Sequence, residues 1–108
     1  MKLADLILQF QNQQPGTDSY ESLRVACLEL ASEDADYATA YYLIYGFARS
    51  YVMLYEEEAV TFDVANKAKA QMLKYLERIS AAQNSSADER LSALNFITTD
   101  YLNSSKIF

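Results

Sequence analysis

The sequence predicts an all-α protein, a compact bundle of about five antiparallel helices around a central apolar helix. Only two of the 108 residues are glycine and one is proline, whereas 51% are apolar. This composition favours long helices over turn-rich sheets. Apolar residues recur at helical spacing in five segments, separated by short polar stretches. No linker divides the chain, so residues 1–108 are expected to form one domain.

The first two predicted helices flank a proline-glycine break. The inward face of the first helix is predicted to consist of Leu3, Leu6, Ile7 and Phe10. This helix is expected to end near Gln14, because Pro15-Gly16 disfavours further helix. Asp18 and Glu21 then resemble a capping box that opens the second helix. The inward stripe of the second helix is predicted to contain Tyr20, Leu23, Cys27, Leu30 and Ala31.

The third helix is predicted to be the central one. The acidic stretch 32–36 offers N-cap oxygens and places negative charge at the positive end of the helix dipole. From Tyr37 to Tyr55 the chain is nearly apolar on every side, with Arg49 as its only charge. Nineteen residues could span a bilayer. The central arginine and the tyrosines spread along the segment argue against a membrane span.

Two further helices complete the predicted bundle. Glu56, Glu57 and Glu58 lie at the negative end of the third helix dipole and disfavour its continuation. Thr61 is expected to cap a fourth helix from Phe62 to about Ala82, with Ala65, Ala68, Met72, Tyr75, Leu76 and Ile79 inward. The segment 86–89 fits a Ser-x-x-Glu capping box for the fifth helix. Its inward residues are predicted to be Leu91, Leu94, Ile97, Tyr101 and Leu102, and residues 104–108 are expected to fray.

Composition also excludes several classes of function. Fifteen acidic and nine basic residues give a net charge of −6, which repels nucleic acid and anionic lipid but attracts a cationic protein. The chain has no histidine, so neither catalytic triads nor histidine metal sites can form. Three consecutive glutamates do not converge on one ion. We therefore expect no enzymatic activity, no cofactor and no metal, and we read the glutamates as a solvated turn.

The single cysteine, Cys27, is expected to be a small buried apolar group, because no histidine is present to activate its thiolate. A lone cysteine fits a reducing compartment. At the N-terminus, Asp5 interrupts the apolar stretch that a signal peptide needs. These features predict a cytoplasmic protein.

Tyrosine is the unusual residue of this sequence, since six of the nine tyrosines lie in the third helix. Helical spacing predicts a core stripe of Tyr37, Tyr41, Ile44, Phe47, Ala48, Tyr51, Leu54 and Tyr55. It places Tyr42, Tyr45, Arg49 and Val52 on a second face, beside Gly46. Tyrosine and arginine are enriched where binding energy concentrates in protein interfaces. The alternative is that surrounding helices bury this face too, with Arg49 paired to a carboxylate.

Acidic residues near both ends of the third helix complete the predicted binding surface. The residues predicted to bind a partner are Asp34, Asp36, Tyr42, Tyr45, Arg49, Glu56, Glu57 and Glu58. The acids would attract a cationic partner at long range, and the aromatic centre would make the dry contact. Helix capping and solubility are the alternative role of these acids.

The chain resembles the small acidic helical immunity proteins that bacteria make beside secreted toxins, including those of contact-dependent inhibition systems. The resemblance is one of whole-chain character: acidic, free of histidine, and containing the segment Phe47–Glu58, FARSYVMLYEEE. It implies a one-to-one complex that blocks a toxin, often a basic nuclease, by covering its active site. It assigns no individual residue.

The leading hypothesis is thus a cytoplasmic inhibitor that neutralises a cationic toxin and is itself a monomer or homodimer. A structural, adaptor or secretion-chaperone-like protein that self-associates through its apolar surface is the second hypothesis. A small-molecule binding bundle or enzyme is the third.

Overall fold

A computed structural model describes all 108 residues and confirms the all-α fold. Its helices are α1 (Leu3–Asn12), α2 (Thr17–Glu33), α3 (Ala38–Tyr55), α4 (Phe62–Ala82) and α5 (Ala87–Leu102). A single 3-10 turn, Ala35–Tyr37, precedes α3, and there are no strands. The radius of gyration of 13.2 Å is that of a compact domain, for which about 13 Å is expected at 100 residues.

Local capping chemistry explains the starts of α4 and α5. Thr61 accepts a hydrogen bond from the Val64 amide, and Ser86 accepts one from the Glu89 amide, each at 3.2 Å. Both caps confirm the sequence-based prediction, because each oxygen satisfies an amide that has no partner inside the helix. Helix α4 also has the predicted bounds.

The predicted capping box at the start of α2 is wrong. Gly16 is the N-cap residue, and no side chain caps this helix. The Glu21 carboxylate instead forms an ion pair with Arg24, one turn along the same helix. Helix α1 ends at Asn12, two residues before the predicted end, and α3 also begins without the predicted side-chain cap.

The helices form two antiparallel pairs joined by α1. Helices α2 and α3 pack against each other along their length, and α4 pairs with α5. Helix α1 contacts both α2 and α4, while α3 contacts α4. The domain is flattened, with principal extents of 41 × 30 × 20 Å. One side of α3 therefore remains uncovered by any other helix.

Aromatic rings fill much of the core between the pairs. The Tyr20 and Tyr51 rings stack with their centroids 3.7 Å apart, joining α2 to α3. Phe47 of α3 lies 5.5 Å from the Tyr75 ring of α4. The buried stripe of α3 consists of Ala40, Tyr41, Ile44, Phe47, Ala48 and Tyr51. These residues follow the predicted helical period, which is why the sequence identified most of them.

The C-terminal segment 103–108 is ordered, contrary to the predicted fraying. Phe108 is only 1% exposed and lies against the rings of Phe47, Tyr75 and Tyr101. The Tyr55 hydroxyl donates a hydrogen bond of 2.6 Å to the Ile107 carbonyl. This segment has no helical period, so only its fit against the other helices reveals its place.

Helix α5 is less buried than predicted. Leu91 and Leu102 are 57% and 59% exposed, although their spacing suggested inward positions. Ala93 and Ile97 are the buried residues of this helix, and Leu94 and Tyr101 are half-buried. Only one narrow stripe of α5 thus faces the core, because α4 is its main neighbour.

Candidate protein-binding surface

The uncovered side of α3 carries a line of exposed residues one helical turn apart. Tyr42 is 67% exposed, Met53 is 66% exposed, and Gly46 and Arg49 between them are also exposed. Their spacing of three or four residues places them on one face. We call these four residues, Tyr42, Gly46, Arg49 and Met53, the open face of α3. Complete burial of the second face, the alternative considered from the sequence, is therefore wrong.

The open face is rotated relative to the face predicted from sequence. Tyr45 and Val52 are half-buried and pack against the core. Leu54, predicted to lie in the core, is 52% exposed. Which residues of α3 are covered depends on where α2 packs against it. The spacing of residues within α3 alone does not reveal where α2 packs. Continuing the spacing from Tyr42 and Arg49 by one turn would have identified Met53.

Tyr45 lies at the edge of the open face, where α2 meets α3. Its ring centroid is 5.6 Å from that of Tyr42 and 6.0 Å from the Arg24 guanidinium carbon. The hydrogen bond from Arg24 to Glu21 raises the pKa of this arginine above its usual range, so the charge is held firmly. The Arg24 side chain is thus already bound by Glu21 and lies against Tyr45 within the chain.

The Arg49 side chain, in contrast, forms no hydrogen bond and no ion pair within the chain. The four ion pairs of the protein involve the N-terminus, Arg24, Lys67 and Lys74. The predicted alternative, in which a neighbouring carboxylate pairs with Arg49, is therefore not what the fold contains. The Arg49 guanidinium retains all its donors for an outside group.

The two acids before α3 differ in their environment. Asp36 is exposed in the 3-10 turn. Asp34 is half-buried and accepts a hydrogen bond of 3.1 Å from the Tyr41 hydroxyl, to which Gln83 also donates. Burial, together with the Asp34 carboxylate, raises the pKa of Tyr41 to about 12. Asp34 thus holds the connection between α2 and α3, and Asp36 is the freer of the two acids.

The three glutamates after α3 form an exposed turn. Glu56, Glu57 and Glu58 are all exposed, and none forms an ion pair. Glu57 has a φ of 65°, the left-handed conformation that reverses the chain after a helix. This turn adjoins a shallow apolar depression lined mainly by Leu54, Tyr55, Ala59, Val60 and Val64. No pattern in the sequence reveals this depression, because its lining comes from two helices and their connection.

Negative charge is concentrated around α2 and α3. Residues 17–61 contain nine acidic and two basic residues, a net charge of −7. The remainder of the chain contains six acidic and seven basic residues, a net charge of +1. The whole negative charge of the protein thus belongs to the segment that contains the open face.

The other tyrosines are structural. Tyr37 donates to the Ile79 carbonyl at 2.7 Å, and Tyr75 donates to Asp100 at 2.7 Å. Burial raises the pKa of Tyr75 to about 12, and the bond to Asp100 contributes. Tyr20 is fully buried and its hydroxyl has no partner. These side chains hold the bundle together and leave Tyr42 as the tyrosine most available to a partner.

No group of three or more cysteine, aspartate or glutamate side chains converges on a point where a metal ion could bind. Cys27 is buried, and burial raises the pKa of its thiol to about 12. This is the environment of an unreactive apolar group. None of the five helices combines the length and the apolar character needed to cross a membrane.

No protein-family model matches the chain, and neither a curated protein nor a solved structure gives a significant match.

Proposed function

We propose that this protein is a cytoplasmic inhibitor of the immunity-protein type, which binds and neutralises a cationic toxin through the α2–α3 side of the bundle. The observation that carries the proposal is the coincidence, in one segment, of the net charge of −7 and the open face. Opposite charges accelerate the encounter of two proteins, and an exposed tyrosine and arginine can supply the contact energy.

A nuclease is a suitable target on electrostatic grounds. An enzyme that binds nucleic acid has a basic binding cleft, because it must compensate the phosphate charges of its substrate. An acidic surface such as that formed by Asp36 and the turn 56–58 can occupy the same site. Inhibition then requires no chemistry by the inhibitor, in agreement with the expectation that this chain is not an enzyme.

The test is co-expression in a bacterial host with the toxic domain of a secreted protein encoded by the neighbouring reading frame. We expect the chain to restore growth and to form a one-to-one complex with that domain. The double variant Tyr42→Ala/Arg49→Ala should lose protection. The matched control, Leu91→Ala/Lys67→Ala, also removes one exposed apolar and one basic side chain, but from α5 and α4, and should protect fully.

Three results would contradict the proposal. These are the absence of a secreted protein in the neighbouring frames, toxicity that persists despite soluble expression of the chain, and protection that the Tyr42→Ala/Arg49→Ala variant retains in full.

The second candidate is a structural or adaptor protein that self-associates. Exposed Leu91 and Leu102 on the outer side of α5 favour it, because both are large apolar residues three turns apart on one face. Sedimentation distinguishes the two candidates. A stable homodimer that is lost in Leu91→Ala/Leu102→Ala would support the adaptor, and a monomer would support the inhibitor.

A further inference from the structure

Gly46 occupies the middle of α3, where the fold gives no reason for a glycine. It is exposed, its φ is not positive, and a Cβ added to it would meet nothing within 4 Å. A glycine at such a position weakens a helix relative to alanine, because it has more freedom to lose on folding. Neither backbone strain nor internal packing thus accounts for it. An outside group that approaches α3 closely would account for it.

The neighbours of Gly46 define a hole of the kind that receives a side chain from a second helix. Tyr42, Tyr45, Gly46 and Arg49 stand at i, i+3, i+4 and i+7, and four residues so arranged bound a hole in knobs-into-holes packing. The two tyrosine rings, with centroids 5.6 Å apart, form one wall. The absent side chain of Gly46 widens the hole.

We propose that this hole receives an apolar side chain from a cationic amphipathic helix of the partner protein. The proposal rests on the proposed function and specifies how the partner binds. Apolar contact is expected at the centre, because the tyrosine rings and the arginine stem present carbon to the hole. Basic residues of the same partner helix then reach Asp36 at one end of α3 and the turn 56–58 at the other. Arg49 is left to bind a carbonyl or carboxylate of the partner.

A second copy of this chain fits the hole poorly. Asp36 and Glu56 lie equally far from Gly46 along the chain, on opposite sides of it. An antiparallel α3–α3 contact centred on Gly46 would therefore bring Asp36 of one copy near Glu56 of the other. A parallel contact would place the same acidic residues of the two copies side by side, which is also repulsive. Since each copy has a net charge of −7 in this segment, charge favours a basic occupant over a copy of the chain.

The test uses synthetic helical peptides as the probe. The first has a leucine and alanine stripe on one face and lysine on the other. In the second, glutamate replaces every lysine, and in the third, alanine replaces the central leucine. Binding is measured by titration calorimetry and located by NMR chemical-shift changes. We expect the lysine peptide to perturb α3, the glutamate peptide not to bind, and the alanine peptide to bind more weakly.

Gly46→Leu fills the hole without disturbing the core. The variant should melt no lower than the natural protein, because leucine is a better helix former, its Cβ would meet nothing within 4 Å, and the position is exposed. It should nevertheless bind the lysine peptide about tenfold more weakly or worse. The control is Ala70→Leu, which adds bulk at an exposed position in the middle of α4 and should leave the affinity unchanged.

The outcomes separate this proposal from the proposed function. If the lysine peptide perturbs α3 and Gly46→Leu binds it as tightly as the natural protein, the hole is not the binding site. The proposal that the acidic surface binds a cationic partner is then still supported. If the lysine and glutamate peptides bind equally, or if neither binds, the proposal of a cationic helix in the hole fails, whereas the proposed function is decided by the co-expression test. If Gly46→Leu and Ala70→Leu lose affinity equally, the claim that the hole is the binding site is also contradicted.

Discussion

The two antiparallel helix pairs differ in how many of their basic side chains have partners within the chain. In α4 and α5 most basic residues have partners within the chain. Lys67 pairs with Asp63, and Lys74 pairs with Asp100. Lys69 donates to two backbone carbonyls at the C-terminal end of α1, those of Gln11 and Gln13. In contrast, Arg49 in α3 and the three glutamates of the turn 56–58 after it form no ion pair. The fold thus holds most basic side chains of α4 and α5 within the chain, whereas Arg49 and the glutamate turn beside the open face have no ion pair. This contrast indicates a surface suited to a partner.

The largest expected effect concerns the residue that joins the two pairs. Phe108 contacts Phe47 of α3 and Tyr75 of α4, so Phe108→Ala should leave a cavity between them and lower the free energy of unfolding by about 3–5 kcal/mol. Chemical denaturation measures this loss. Leu102→Ala, at an exposed site nearby, should change stability by less than about 0.5 kcal/mol. Equal effects of the two changes would mean that the C-terminal segment does not pack as described.

Removing a tyrosine hydroxyl from each helix pair should change the stability of the protein with opposite signs. The Tyr75 hydroxyl donates to Asp100 and accepts from Gln71, so Tyr75→Phe should destabilise the protein by about 1 kcal/mol. The Tyr20 hydroxyl is buried without a partner, so Tyr20→Phe should stabilise it by about 1 kcal/mol, because a desolvation cost disappears. Thermal and chemical denaturation of both variants test this difference. Destabilisation by Tyr20→Phe would reveal a hydrogen bond that the fold does not show.

Stability at low pH should depend on the ion pair between α4 and α5. Hydrogen bonds from Lys74 and Tyr75 hold the pKa of Asp100 below its usual value. A carboxylate whose pKa is lower in the folded state stabilises the protein above the unfolded pKa of about 3.9, and this contribution is lost as the pH falls through the folded-state pKa. Asp100→Asn should therefore reduce the fall in melting temperature on acidification. Parallel melting curves for variant and natural protein would contradict this role of Asp100.

Much of the fold was predictable because its signals are local. The bounds of α4 and the caps Thr61 and Ser86 follow from residues within one helical turn. The predictions that failed concern residues whose side chains have competing partners or whose place depends on tertiary packing. Glu21 pairs with Arg24 instead of completing a capping box, and Phe108 finds its site only once the aromatic core exists.

The candidate surface was predictable in its residue types but not in its orientation. Tyr42 and Arg49 were identified from their spacing, and both are exposed. Whether neighbouring helices would cover them depended on where α2 and α4 lie, which no single-helix pattern encodes. The same dependence explains why Met53 was missed and why Asp34, predicted to bind a partner, is engaged by Tyr41.

The central claim is that the acids beside the open face, and not the overall negative charge, attract a cationic partner. It is tested most directly by titrating the lysine peptide into two variants of equal net charge. One is Glu56→Gln/Glu57→Gln/Glu58→Gln, and the other is Glu77→Gln/Asp88→Asn/Glu89→Gln, which removes three exposed acids from α4 and α5. We predict that the first variant binds about tenfold more weakly, with a smaller salt dependence, and that the second binds like the natural protein. Equal weakening in both variants would contradict the claim.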